Sequence, residues 1–225
     1  MAAFRRAAEI GADSIELDVH LSADGVWVVI HDPDLARTTD GTGNVSSLPY
    51  SAITAFDAGS WKDARFSGER VPDLDSVLRF SLECGVPLNV ELKAQSEGRR
   101  HGLRFGQFLQ QSSFENAVAV VSSFDAEILI GVRGAAPACA LGMLGSDSEA
   151  VERAKTHQME WAHVQYRAIT PELVADAHAA NVKMMTWTVD SLEDYRKLAS
   201  MGVDKICTNR PADLLDARKQ TGSSG

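Results

Sequence analysis

Short apolar runs that read as strands alternate with helix patterns along nearly the whole chain, and this alternation restricts the possible folds most. The strand candidates are Ser14–Leu21, Trp27–His31, Leu88–Lys93, Ala117–Ser123, Ala138–Leu144, Trp161–Gln165, Lys183–Val189 and Lys205–Asn209. Helices fill most gaps, with readable start and stop signals. Asp73 can cap a helix that closes at Gly85. Thr170-Pro171 reads as N-cap and N1 with Asn181 at the far end. Ser191 with Asp194 opens a helix that Gly202 ends. Repeated βα alternation requires a parallel sheet with helices outside it, open or closed.

One strand pair departs from this rhythm. Ser14–Leu21 and Trp27–His31 are separated only around Ala23-Asp24-Gly25-Val26, far short of the roughly dozen residues a parallel crossover needs. Asp-Gly between alternating runs is a hairpin signal, so Trp27–His31 is expected to be an antiparallel arm. Seven strands then remain for the parallel sheet. The chain also opens inside an element: Ala2–Ile10 reads as helix, with no capping residue and no strand before it. One preceding strand would bring the total to the eight of a closed β/α barrel. The expected fold is α/β, a TIM-type β/α barrel missing its first strand. Residues 1–220 form the barrel domain, 32–71 a small insertion over its mouth, and 221–225 a disordered tail. A barrel lacking one strand exposes sheet edges at Ser14–Val19 and Lys205–Asn209, from which poor solubility or homo-oligomer formation is expected.

Side-chain parity concentrates the chemistry. In I-E-L-D-V, Ile15, Leu17 and Val19 share one face of a strand and Glu16 and Asp18 the other. L-N-V-E-L-K repeats the logic: Leu88, Val90 and Leu92 face the helices, and Asn89, Glu91 and Lys93 face inward. Three carboxylates (Glu16, Asp18, Glu91) would then meet near the C-terminal mouth, where barrel enzymes keep their sites. Unpaired, they repel one another and take up protons. One hard divalent cation, Mg²⁺ or Ca²⁺, resolves the conflict, and no Cys or His cluster suggests zinc. A cation beside Lys93 makes a cationic spot suited to a phosphate ester. If Asp24 and Gly25 are the two turn residues of the hairpin, Asp18 opposes His31 and Val19 opposes Ile30. His31 then joins Glu16, Asp18 and His20 on the acidic face, where it could exchange protons with an attacking or leaving oxygen; a bulge or longer turn would shift this register. His101, His157 and His178 lie in helix patterns and are expected at the surface, while the roles of His20 and His163 stay open. Trp61 and Phe66 are expected to pack the 32–71 segment.

Composition removes other classes. Twenty-two Lys+Arg against 31 Asp+Glu give a net charge of -9, which argues against a nucleic-acid partner. No apolar run approaches the ~18 residues of a membrane span, and none near the start reads as a secretory signal. Cys84, Cys139 and Cys207 lie far apart without metal-ligand spacing, consistent with buried thiols in a reducing, cytoplasmic setting.

The stretches GADSIELDVHLSADGVWVVIHDPDLARTTDGTG, VPDLDSVL, LNVELK, SSFD and TWTVDSLEDYRKLASMGVDKICTNRPADLL resemble the glycerophosphodiester phosphodiesterase family, within the phospholipase-C-like phosphodiesterase barrels. The resemblance runs from Met1 almost to Leu215. It implies a metal-dependent hydrolase that converts a small-molecule glycerophosphodiester into sn-glycerol 3-phosphate and an alcohol. By position, it makes Glu16, Asp18 and Glu91 the metal ligands and His31 one of two catalytic histidines. Lys93 becomes a phosphate contact and Trp187 the aromatic lining the glycerol pocket. The family opens with a strand ending in His-Arg-Gly and a Pro-Glu-Asn-Thr turn. MAAFRRAAEIGAD matches the helix after that turn, so little catalysis is expected of the chain as written. A smaller departure is Asn209, where the family usually has Asp in T-D-R-P. A metal- and phosphodiester-binding homologue without catalysis is the alternative. A lysophospholipase-D-like or sphingomyelinase-like phosphodiesterase is a further one.

Overall fold

The computed structural model describes residues 1–94, 96–111 and 114–222. The chain divides into two compact units, 1–93 with 114–119 and 94–113 with 120–225.

The first unit opens with α1 (Ala2–Glu9), β1 (Ile15–Leu21) and β2 (Trp27–Val29). It continues through α2 (Tyr50–Ile53), α3 (Leu74–Cys84) and β3 (Leu88–Leu92). The cap that α1 lacks locally arrives from far along the chain: the Glu69 carboxylate accepts from the Met1 and Ala2 nitrogens at 2.7 and 3.1 Å. β1 pairs in parallel with β3, Ile15 level with Leu88 and Asp18 level with Glu91. β2 pairs antiparallel with β1, as the short connection predicts.

The hairpin register differs by one residue from the expected one. Val19 faces Val29 and Leu21 faces Trp27, so Asp18 does not oppose His31. The cause lies in the turn. Ser22 and Val26 close it through a backbone bond of 2.9 Å, the Ser22 hydroxyl accepts from the Val26 N–H, and Gly25 takes φ 85°. The loop is therefore Ala23-Asp24-Gly25, with glycine in the left-handed position that three-residue hairpins favour. A one-residue slip exchanges the faces of the second strand. Val28 and Ile30 accordingly turn into a separate apolar core with Leu35, Val45, Ile53 and Val71. That core, with Leu48, Tyr50 and Phe56 against it, gives the 32–71 segment its interior. Trp61 and Phe66 do not contribute to it as expected; both are exposed, Trp61 by 51%. Within the unit, β2 covers only the Val19–Leu21 end of β1.

The second unit holds α4 (Gly98–Gln111), all but the first two residues of β4 (Val118–Ser123), α5 (Ala126–Ala135), β5 (Leu141–Gly145) and α6 (Glu149–Thr156). It goes on with β6 (Trp161–Gln165), α7 (Pro171–Ala179), β7 (Lys183–Trp187), α8 (Leu192–Ser200), β8 (Lys205–Ile206) and α9 (Pro211–Gly222). From β4 to β8 each strand pairs in parallel with the next, with a helix in every connection. The predicted caps are present. Asp73, Thr170 and Ser191 accept from the backbone of α3, α7 and α8, and Gly85, Asn181 and Gly202 take positive φ. α4 and α5 approach through glycines: a Cβ on Gly102 would lie 1.9 Å from the Ile128 carbonyl, and one on Gly131 2.1 Å from that of Arg99. α9 takes in Thr221 and Gly222 of the expected tail, whose remaining residues lie outside the described ones.

Two surface expectations are corrected. His101 is 6% exposed, because it shares the α4 stripe with Phe105 and Leu109 at i, i+4, i+8 spacing. Cys84 is exposed at the end of α3, while Cys139 is buried.

Candidate active site

The site grows from the β1–β3 pair. The parallel register sets Asp18 beside Glu91 and Glu16 beside Asn89, so alternate residues of both strands project to one side. One carboxylate oxygen from each of Glu16, Asp18 and Glu91 lies within 4.8 Å of the others. Parity in the sequence predicts this convergence, and the fold delivers it. The apolar partners Ile15, Leu17, Val19, Leu88, Val90 and Leu92 are buried on the opposite faces.

Lys93 completes the cluster. Its N–H continues the ladder to the Val19 carbonyl at 3.3 Å. Its ammonium contacts Asp18 Oδ1 at 2.7 Å and Glu91 Oε1 at 2.6 Å. Burial works against the charge on Lys93, but its hydrogen bonds to Asp18 and Glu91 prevail and hold its pKa above the ordinary lysine value. Glu91, 8% exposed, is pushed upward by burial against the downward pull of Lys93. Glu16 has no such hydrogen bond to Lys93. Burial first, then repulsion from Asp18 and Glu91, raises its pKa to about 8. One ammonium thus leaves an excess of negative charge among three carboxylates, which the raised Glu16 pKa reflects. An all-oxygen donor set with excess negative charge fits a hard divalent cation.

His31 stands just past β2 with its side chain 63% exposed. Its Nδ1 lies 2.6 Å from Asp32 Oδ1. Arg37 grips the same carboxylate with two nitrogens, Nη2 at 3.0 Å from Oδ1 and Nε against Oδ2. Hydrogen bonds from Arg37, then from His31, hold Asp32 well below the usual carboxylate range. His20, buried on β1, meets the His31 carbonyl through Nε2 at 3.1 Å. A carbonyl only accepts, so that nitrogen carries a proton. Burial, foremost, lowers the His20 pKa. Sequence reasoning left His20 open and did not find Arg37. Arg37 lies five residues beyond Asp32 in a segment without periodicity, so no spacing rule points to it.

Trp187 ends β7 in the second unit. Its Nε1–H donates to the His163 carbonyl at 3.2 Å, and its ring meets Phe124 edge-on, centroids 6.0 Å apart at 84°. Asn209, the smaller departure, has a partner: its Nδ2 donates to Asp190 Oδ2 at 2.9 Å and its backbone N–H to Oδ1 at 2.8 Å.

Parallel strands in a βα series, with three carboxylates gathered on one pair of them, define an α/β protein with a candidate metal site. Comparison with known proteins makes the class specific. The profile of the Glycerophosphoryl diester phosphodiesterase family matches residues 1–213, and the chain belongs to that family of enzymes. It is 36% identical to the glycerophosphodiester phosphodiesterase of Caldanaerobacter subterraneus subsp. tengcongensis, over 99% of this chain and 92% of the relative. Its structure is similar to that of an Oleispira antarctica phosphodiesterase solved in complex with the product sn-glycerol-3-phosphate. The TM-score there is 0.89 at 27% identity, covering 97% of this chain and 90% of the other. A glycerophosphodiester phosphodiesterase from Agrobacterium tumefaciens gives a TM-score of 0.82 at 30% identity, covering 96% and 91%. The fold is thus the α/β TIM-type barrel of this family. Among the described residues no helix is long and apolar enough to cross a membrane.

Proposed function

We propose that this chain hydrolyses glycerophosphodiesters to sn-glycerol 3-phosphate and an alcohol, using one divalent cation, Mg²⁺ or Ca²⁺, held by Glu16, Asp18 and Glu91. The observation that carries the reading is the meeting of three carboxylate oxygens within 4.8 Å, with too little protein cation to balance them. A cation bound there supplies Lewis-acid polarisation of a phosphoryl oxygen and offsets charge in the transition state. The protein's own groups do the rest. Once Asp18 and Glu91 serve as ligands, the Lys93 ammonium is left to pair with a non-bridging phosphate oxygen. His31, exposed beyond β2, exchanges a proton with the attacking or leaving oxygen. Trp187 keeps the substrate-contact role that the resemblance gives it, its ring fixed by the His163 carbonyl and Phe124. The same reading places the protein in the cytoplasm, in keeping with three cysteines that form no disulfide.

The test is release of glycerol 3-phosphate from glycerophosphocholine, followed with a coupled dehydrogenase. Release should stop on chelation and return with Mg²⁺ or Ca²⁺. Release that survives exhaustive chelation would remove the cation from the reading. Calorimetric binding of cation and diester without turnover would leave a binding protein.

A further inference from the structure

We propose that Asp32 and Arg37 are positioning residues for His31, holding its ring as the Nδ1–H tautomer so that Nε2 offers its lone pair to the reacting oxygen. The proposal rests on the reading above for the reaction, though not for the state of the ring.

The His31 side chain is mostly in solvent, so packing does little to orient it. Hydrogen bonds must do so. The main chain is held from one side, where His20 Nε2–H donates to the His31 carbonyl. The ring is held from the other, where Nδ1 meets Asp32 Oδ1 at 2.6 Å. An ionised carboxylate is acceptor-only, so Nδ1 carries the proton and neutral His31 has its free lone pair on Nε2. Asp32 itself is anchored: the Arg37 guanidinium spans both of its oxygens, the planar two-nitrogen grip that Lys could not reproduce. Arg37 thus fixes Asp32, and Asp32 fixes the ring.

The proton balance is simple. Nε2 takes the proton of an attacking hydroxyl as the oxygen–phosphorus bond forms. The imidazolium keeps both N–H bonds, with Nδ1–H still donating to Asp32, whose charge stabilises it. The proton on Nε2 then passes to the oxygen leaving phosphorus, and His31 is neutral again. Asp32 gains no proton at any point, as in the serine-protease arrangement of the same three roles.

Imidazole ¹⁵N NMR of the full chain at alkaline pH reads the tautomer directly, with His31→Gln assigning the signal. The expected spectrum shows His31 protonated at Nδ1 and bare at Nε2, and Asp32→Ala shifts it toward Nε2–H. A wild-type ring already in the Nε2–H form overturns the proposal, as does a spectrum indifferent to Asp32→Ala. If Asp32→Ala does not fold, Arg37→Gln, which leaves the carboxylate unanchored, is expected to broaden or shift the same signal, and no change overturns it equally. In turnover of glycerophosphocholine, Asp32→Asn is expected to lower kcat by about 10²–10⁴-fold with KM little changed. Arg37→Lys should retain less than the wild-type rate but more than Arg37→Gln. An unchanged kcat in Asp32→Asn sinks the positioning role. Absence of turnover in the wild type sinks the hydrolase reading instead, and leaves the ring state to be judged by NMR.

Discussion

The two units each bury titratable groups against a parallel sheet, and they handle them in opposite ways. In the first, Glu16, Asp18 and Glu91 crowd around one ammonium, and burial with mutual repulsion drives Glu16 up to about 8. In the second, His163 on β6 is 0% exposed, neither ring nitrogen has a hydrogen-bond partner, and burial drives its pKa down to about 3. Both shifts favour the neutral form, as desolvation must. The difference is in what remains available. The first cluster keeps excess negative charge that a cation can relieve. His163 is sealed in place: a Cβ on Gly142 would lie 2.7 Å from its Nε2, and Trp161 stands edge-on at 6.1 Å. Burial of polar groups alone therefore does not mark a site; uncompensated charge gathered at one point does.

The sharpest way to break this contrast is to remove a ligand from one interior and the imidazole from the other. Glu91→Gln should weaken Mg²⁺ and Ca²⁺ binding, measured calorimetrically, by more than the ~10–100-fold that loss of an outer partner of a metal ligand costs. His163→Leu should leave that affinity within threefold. Equal losses in both variants would show that the two interiors are not functionally distinct.

Acid should expose His163 next. Its folded-state pKa lies below the ordinary 6.5, so the unfolded chain binds the extra proton as pH falls. The stability that this group contributes is complete above pH 6.5 and is lost as pH drops toward about 3. By pH 5 the loss should be roughly 2 kcal/mol, at about 1.4 kcal/mol per pH unit. Urea unfolding of His163→Leu should show that slope removed. A mutant slope equal to that of the wild type would mean that the imidazole is solvated and titrates normally.

Glu16 should show the opposite sign. Its folded-state pKa is raised, so without a divalent cation the folded chain holds a proton that the unfolded chain releases above the ordinary 4.5. Stability then declines as pH rises from about 4.5 to about 8. A cation must displace that proton, so its affinity should rise with pH by at most about tenfold per unit and level off above pH 8. Glu16→Gln should flatten this dependence. Calorimetry in two buffers of different ionisation enthalpy measures the proton released, and a wild-type release of zero at pH 7 would refute the assignment.

The legible part of this molecule follows from local geometry. Strand parity is a property of the backbone, so I-E-L-D-V and L-N-V-E-L-K predict which side chains share a face before any fold is known. Caps at Asp73, Thr170 and Ser191 are equally local. What escaped depended on a single turn residue or on distant partners. One extra loop residue at Ala23-Asp24-Gly25 shifted the β2 register and sent Val28 and Ile30 into the insertion core. Glu69 caps α1 from 67 residues away, and Arg37 finds Asp32 within an irregular segment. His101 was misjudged because a histidine in a helix pattern is polar by composition, yet its spacing with Phe105 and Leu109 places it on the buried stripe.

Asn209 offers the mildest test of how the chain manages carboxylates. Asp190 is surrounded by donors from Asn209 and Thr208, and the Asn209 side chain is the first cause of its pKa lying below the usual carboxylate value. The amide satisfies the acid without adding charge, where an Asp at 209 would set a second carboxylate beside it. Asn209→Asp should exchange an attraction for a repulsion between exposed groups, destabilising by about 0.5–1 kcal/mol. The sign of the pH response follows: repulsion requires both acids to be ionised, so the deficit should be present at neutral pH and shrink as pH falls through the carboxylate range. It should also shrink in high salt, since exposed charges are screened. Paired urea titrations of wild type and Asn209→Asp at low and high salt measure this. A deficit indifferent to both pH and salt would mean that Asn209 acts through the shape of the 207–211 turn, and not through the charge it withholds.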